Sequence, residues 1–264
     1  MIRDSELTEF IESIAPLDTQ EEWDNSGWQI RLKPEFSRVM TALEIRSDVI
    51  GEAVREGCDL IVTHHPLIFD ELGSVDNNSF IGKNIIALIS GGISVFSLHT
   101  PFDKCPGGIN DSFGELLGIQ DIRLVTGDSG DYTGGYLRSG VLSEPMSLHE
   151  FIELASGALD MLPAQFRFSG DTRAKISKIC WCCGAGTEFM DLALKEGCDL
   201  FISGDLKYHP AQAAREQGLN ILDPGHYGTE KHFVHSMAEM LRAAFPEEAD
   251  NIKESKTNID PFAF

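Results

Sequence analysis

Three short stretches of this chain carry residues that could hold metal ions. His64-His65-Pro66 sets two imidazoles side by side, while His99-Thr-Pro-Phe-Asp103 and His226-Tyr-Gly-Thr-Glu230 share the form His-x-x-x-carboxylate. Neutral imidazole suits borderline ions such as zinc, iron or nickel, and carboxylates suit harder ions and can bridge two of them. His64, His65, Asp103, His226 and Glu230 are more donors than one open tetrahedral site needs. They make a natural set for two divalent ions, and zinc, iron, manganese or nickel would fit. Such a pair, ~3.5 to 4 Å apart, lowers the pKa of water and polarises a substrate. Glu230 also suits the first turn of a helix, where the helix dipole favours an acid.

The residues that position these donors are repeated. Glu-Gly-Cys-Asp-Leu occurs at 56–60 and again at 196–200, an offset of 140. The first copy runs through Ile61, Val62 and Thr63 into His64-His65, and the second through Phe201, Ile202 and Ser203 into Gly204-Asp205. Ser47 is read as the cap of a helix with apolar positions Val49, Ile50, Ala53 and Val54, closed by Gly57; Thr187 caps one with Phe189, Met190, Ala193 and Leu194, closed by Gly197. Matching caps, stripes, glycines and strands predict a duplication, with 40–65 superposing on 180–205.

Further strands are predicted at 93–98 and 220–222, each just before a His-x-x-x-carboxylate element. Short β-branched strands alternating with helices of about ten residues predict α/β units with mostly parallel pairing. In such sheets ligands bind just beyond the carboxyl ends of the strands, where every donor named above falls. A helix with the apolar stripe Leu7, Phe10, Ile11 and Ile14 is predicted, capped by Asp4 or Ser5 and closed by Pro16, and another from Phe151 to Leu159 behind a capping box at Ser147 and Glu150. The halves are divided at 125/126: residues 1–125 carry His64, His65 and Asp103, and 126–264 carry His226 and Glu230, with a final helix at 230–245 free to pack on the first half.

Composition narrows the function classes. With 264 residues and 42% apolar content the chain can bury two modest cores. A net charge of −21 and a pI near 4.6 argue against a nucleic-acid polymer as partner, because phosphate counterions are displaced by clustered Lys and Arg. Nothing approaches the ~20 apolar residues of a membrane helix, and no basic segment leads an apolar run, so no membrane association and a cytoplasmic location are expected. The six cysteines are expected to be reduced and mostly buried. His149, His232 and His235 are expected on helix surfaces.

Taken together, Trp23-Asp24-Asn25-Ser26-Gly27, Thr63-His64-His65-Pro66, His99-Thr100 with Asp103, Pro106-Gly107-Gly108-Ile109-Asn110-Asp111, Lys207-Tyr208-His209, Asp223-Pro224-Gly225-His226-Tyr227 and Thr229-Glu230 resemble the Nif3-like family, whose members are also described as GTP cyclohydrolase I type 2 homologues or dinuclear metal centre proteins. The resemblance runs in order along nearly the whole chain. It implies two similar duplicated α/β domains with mixed sheets, a two-metal site in the cleft between them, and a ring-shaped homohexamer. It carries the ligand roles onto His64, His65, Asp103, His226 and Glu230. His99 matches a further family histidine and is assigned to substrate contact or proton transfer, and His209 is placed near the cleft in a similar role. Asp24 and Asn25 become supporting groups. Trp28, Pro101-Phe102 and Asp205 depart from the usual family residues without removing a ligand.

Two functions compete at this stage. A metal-dependent hydrolase of a small nucleotide-like molecule would use His99 or His209 as proton shuttle, with GTP ring opening as the activity the resemblance implies. A non-catalytic metal-binding scaffold, serving storage, delivery or regulation, would use the same ligands and tolerate loss of His99.

Overall fold

Leu60-Ile-Val-Thr63 and Leu200-Phe-Ile202 are buried at every position, the pattern of strands covered on both faces by helices. Each buried aliphatic or aromatic side chain of this kind contributes about 1.5–3 kcal/mol. The computed structural model describes residues 1–126 and 135–262, which form mixed α/β architecture in two compact units.

The first unit comprises Met1–Cys105 with Phe233–Ile259. Its elements are β1 (Ile2–Arg3), α1 (Asp4–Ile14), β2 (Gly27–Ile30), β3 (Glu35–Phe36), β4 (Val39–Ala42), α2 (Ser47–Glu56), β5 (Leu60–Thr63), α3 (Phe80–Gly91), β6 (Ser94–Ser97) and α4 (Thr100–Lys104), joined by α10 (Phe233–Ala244) and β13 (Ile252–Glu254) near the C-terminus. A five-stranded sheet runs β13-β4-β5-β6-β2, with the first four strands parallel and β2 antiparallel at the edge. The α10 helix lies on β4 and β13 and buries Phe233, Met237, Ala238 and Leu241.

The second unit comprises Pro106–His232 and the residues from Asp260. It holds α5 (Ile109–Leu116), β7 (Gln120–Leu124), β8 (Arg138–Ser147), α6 (Leu148–Ala158), β9 (Arg167–Ser169), β10 (Lys175–Trp181), α7 (Met190–Lys195), β11 (Leu200–Ile202), α8 (Tyr208–Glu216), β12 (Asn220–Asp223) and α9 (His226–Glu230). Its six-stranded sheet runs β7-β8-β10-β11-β12-β9, in which β10, β11 and β12 are parallel and the other pairings antiparallel. Trp181 is fully buried and donates its indole N–H to the Asn110 carbonyl at 2.7 Å. A side chain at Gly114 would collide with that indole, so the close approach of α5 requires glycine there.

The central pairings of the two sheets have matching registers. Val39 faces Leu60 and Met40 faces Ile61; Ile179 faces Leu200 and Cys180 faces Phe201, each residue shifted by 140. The compact units do not divide at 125/126, where the sequence repeat was split. Antiparallel pairing of β7 with β8 ties 120–124 into the second sheet, and parallel pairing of β13 with β4 ties 252–254 into the first. Helix starts also shift slightly. Arg3 and Arg46 occupy the caps of α1 and α2, and Thr187 opens a 3-10 turn before α7, whereas Ser147 and Glu150 form the expected capping box.

One cysteine expectation is overturned. Parallel pairing lays Cys180 of β10 beside the start of β11, and a disulfide joins it to Cys198, with Cα atoms 6.0 Å apart. Cys58, Cys105, Cys182 and Cys183 are free and buried. Burial pushes the Cys58 thiol up to about 11, so it stays protonated. Among the described residues no helix is long and apolar enough to cross a membrane.

Candidate metal centre

In the first unit, β5 ends at Thr63 and the chain turns. The backbone N–H groups of His64 and His65 both donate to the Leu43 carbonyl, at 3.2 and 2.9 Å, which fixes the turn beyond the strand. His64 is wholly buried, and its Nδ1 lies 2.9 Å from the Leu98 carbonyl. A carbonyl can only accept, so Nδ1 carries the proton and Nε2 the lone pair. That lone pair stands 3.5 Å from Oδ1 of Asp103, a buried carboxylate on α4.

Ligand bonds of about 2.0–2.2 Å put neighbouring donors roughly 3.0–3.5 Å apart, so the spacing fits a shared ion. His65 is half-buried, with Nδ1 3.6 Å from Glu44 Oε2. His64, His65 and His99 can bring one ring nitrogen each within 4.8 Å of one another.

His99 caps α4 and is oriented by a carboxylate. Its Nδ1 lies 2.9 Å from Asp24 Oδ1, and its backbone N–H donates to the Ser26 hydroxyl at 3.0 Å. Burial of the Asp24 side chain opposes ionisation, but hydrogen bonds from His99, Thr100 and Ser26 outweigh it and hold the carboxyl well below the usual carboxylate range. The ionised Asp24 accepts the Nδ1 proton of His99 and leaves Nε2 able to take a proton or a ligand.

The second unit builds a similar pair on different elements. His226 and Glu230 lie one turn apart on α9, with Nε2 3.1 Å from Oε2. His226 Nδ1 is 2.8 Å from Asp205 Oδ2, so the ring is held between two carboxylates. Glu230 is buried. Space for both comes from Gly184, at φ +64°: a Cβ there would collide with Glu230 Oε1 and come within 3.3 Å of the His226 ring. Thr229 locks the turn, its hydroxyl accepting from Gly184 N–H at 2.9 Å and donating to the His226 carbonyl at 2.8 Å.

The two His-x-x-x-carboxylate elements differ in helical phase. His99 is the cap of α4, whereas Gly225 caps α9 and His226 is its first residue. His209 sits exposed on the first turn of α8, its ring against Tyr208 with centroids 5.3 Å apart, and belongs to no potential metal-holding group among the described residues. His149 and His235 are exposed, as expected. The surface expectation fails for His232, which is half-buried because α5 covers it: its Nε2 lies 3.0 Å from both the Ile109 carbonyl and the Ser112 hydroxyl. Asp205, Glu44 and Gly184 were not singled out as site residues from sequence. The 140-residue offset held the signal, since it pairs His65 with Asp205 and Glu44 with Gly184.

Comparison with known proteins converges on one family. The family model described as Duf34/NIF3 (NGG1p interacting factor 3) matches residues 2–261. A Clostridium perfringens protein named GTP cyclohydrolase 1 type 2 homolog is 34% identical over 261 residues, covering 98% of each chain. The solved structure of Staphylococcus aureus protein SA1388 superposes with a TM-score of 0.89 at 26% identity, covering 100% of this chain and 99% of that one. A Bacillus cereus protein related to NIF3 has the same fold, with a TM-score of 0.90 at 23% identity and coverage of 100% and 99%.

Proposed function

This chain belongs to the Duf34/NIF3 family, and on that footing we propose that it is a metal-dependent hydrolase of a small, nucleotide-like substrate. Two divalent ions per chain are its cofactors, with His64, His65 and Asp103 of the first unit and His226 and Glu230 of the second as their ligands. The observation that carries this reading is the repeated donor pair: in each unit an imidazole with an oxygen against its Nδ1 turns its Nε2 to a buried carboxylate oxygen at 3.5 or 3.1 Å. The matching strand registers support descent of the two units from one duplicated α/β element.

Ions bound there would supply Lewis acidity and water of lowered pKa. The chain's own groups do the rest. Asp24 directs the proton of the neutral His99 ring to Nδ1 and the lone pair to Nε2, through which His99 can accept a proton as the substrate is attacked and return it to the leaving group. Leu98 and Asp205 keep His64 and His226 from rotating away. A storage or regulatory scaffold needs no oriented base, and the Asp24–His99 pair favours the hydrolase.

The relative's name makes GTP the first nucleotide to test. Protein reconstituted with zinc, manganese, nickel or ferrous iron is incubated with a nucleotide panel and the products separated by chromatography. Turnover of at least one nucleotide, abolished by chelation and by His99→Ala, is expected. Metal-replete protein that turns over none of them would contradict the hydrolase reading. A cytoplasmic homohexamer is the form in which we expect it to act.

A further inference from the structure

Trp23 and Phe69 are large aromatic side chains left 56% and 43% exposed. Their ring centroids are 5.8 Å apart, and both rings stand edge-on to the same third ring, His99, at 5.9 and 6.2 Å with interplanar angles of 72°. The chain beside each ring is tied down. Asn25 donates its side-chain amide to the Ile68 carbonyl at 2.6 Å, Ile68 N–H donates to the Gln29 side chain at 3.0 Å, and Gln29 donates to the Asn25 carbonyl at 2.6 Å. Asp24, next to Trp23, is bonded to His99, Thr100 and Ser26. Hydrogen bonds thus hold two apolar rings at the surface beside His99, whose Nδ1 is bonded to the Asp24 carboxylate.

We propose, resting on the nucleotide-hydrolase reading, that Trp23 and Phe69 form a stacking platform for the planar ring of the substrate, a nucleobase, and set it beside His99. Stacking on indole and phenyl faces accepts any base, because every base presents a π-face, and it requires no cationic residue. That matters in a chain of net charge −21, whose long-range field disfavours the phosphates of a nucleotide. The base, rather than the phosphate, then supplies the affinity that protein side chains contribute. Trp23 and Phe69 are positioning residues that favour a planar base of any kind; His99 remains the proton carrier.

The test uses the full-length protein, metal-loaded and chelated, with guanosine 5′-monophosphate, adenosine 5′-monophosphate and ribose 5-phosphate as probes. Trp181 is buried and Trp28 half-buried, so Trp23 should dominate quenching by an added ligand, and Trp23→Phe checks the origin of the signal. The mononucleotides should quench and ribose 5-phosphate should not. By calorimetry, Trp23→Ala and Phe69→Ala should each bind the mononucleotides about tenfold to a hundredfold more weakly, with Trp23→Tyr close to wild type. Thermal melts should be unchanged, since both rings are exposed.

The proposal is overturned if wild-type protein binds neither mononucleotide, if ribose 5-phosphate binds as well as they do, or if the alanine variants bind undiminished. It is also overturned if Trp23→Ala alters the oligomeric mass but not mononucleotide affinity, because a second copy of the chain would then be what covers the rings. Binding is read without turnover. A protein that stacks bases but hydrolyses nothing keeps the platform and loses the hydrolase, and one that hydrolyses nucleotides indifferently to Trp23→Ala does the reverse.

Discussion

His99 Nδ1 lies 2.9 Å from Asp24 Oδ1, and the other oxygen of that carboxylate accepts the Thr100 N–H at 3.1 Å and the Ser26 hydroxyl at 2.9 Å. Asp24→Asn keeps the shape of the side chain but exchanges an acceptor for an amide whose NH2 faces donors. His99 would lose its fixed tautomer. Turnover should fall by about 10- to 100-fold, while metal content measured by mass spectrometry stays at the wild-type value. Unchanged turnover would remove His99 as the oriented base.

Much of this arrangement was legible in the sequence because it rests on local signals. An apolar run ending in His64-His65, Gly57 at the left-handed end of α2, and the Ser147–Glu150 capping box all specify their structures within a few residues. What escaped is non-local. Ile252–Glu254 carries no strand signal of its own and becomes β13 only by pairing with β4. The Cys180–Cys198 disulfide depends on strand pairing. Spacing alone also made the His99 and His226 elements look equivalent, because residue counts do not reveal that one histidine caps its helix and the other begins it. The need for glycine at 184 is non-local too: the Glu230 and His226 side chains packed against it explain why no larger residue fits.

Gly184→Ala tests that packing. The new methyl group meets Glu230 and His226 at a left-handed backbone position, so the variant should lose about 1–2 kcal/mol of stability and bind less metal than wild type. Chemical denaturation and elemental analysis read the two effects separately. Full metal occupancy would mean that the His226–Glu230 pair can be displaced without cost to binding.

Glu52 supplies a pH-dependent tie in the first unit. Burial raises its pKa, but bonds from Ser255, Lys256 and Thr257 outweigh burial and leave it below its ordinary value of 4.5. A depressed folded-state pKa stabilises the protein above the unfolded value, and the benefit is lost as pH falls through the folded one. Glu52→Gln should therefore cost about 2 kcal/mol at pH 7, and the difference from wild type should shrink as the pH drops below 4.5. Urea melts at several pH values check this; a gap that widens in acid would contradict it.

Metal stoichiometry tests the central claim most directly. Wild-type chain loaded under metal-replete conditions and freed of loose ions by gel filtration is compared with Glu230→Gln, which keeps the size of the side chain but removes the charge beside His226 Nε2. Two ions per wild-type chain, with fewer in Glu230→Gln and both proteins equally folded by circular dichroism, is the predicted result. A wild-type value that stays at or below one, or a Glu230→Gln variant that keeps both ions, would contradict the two-metal account.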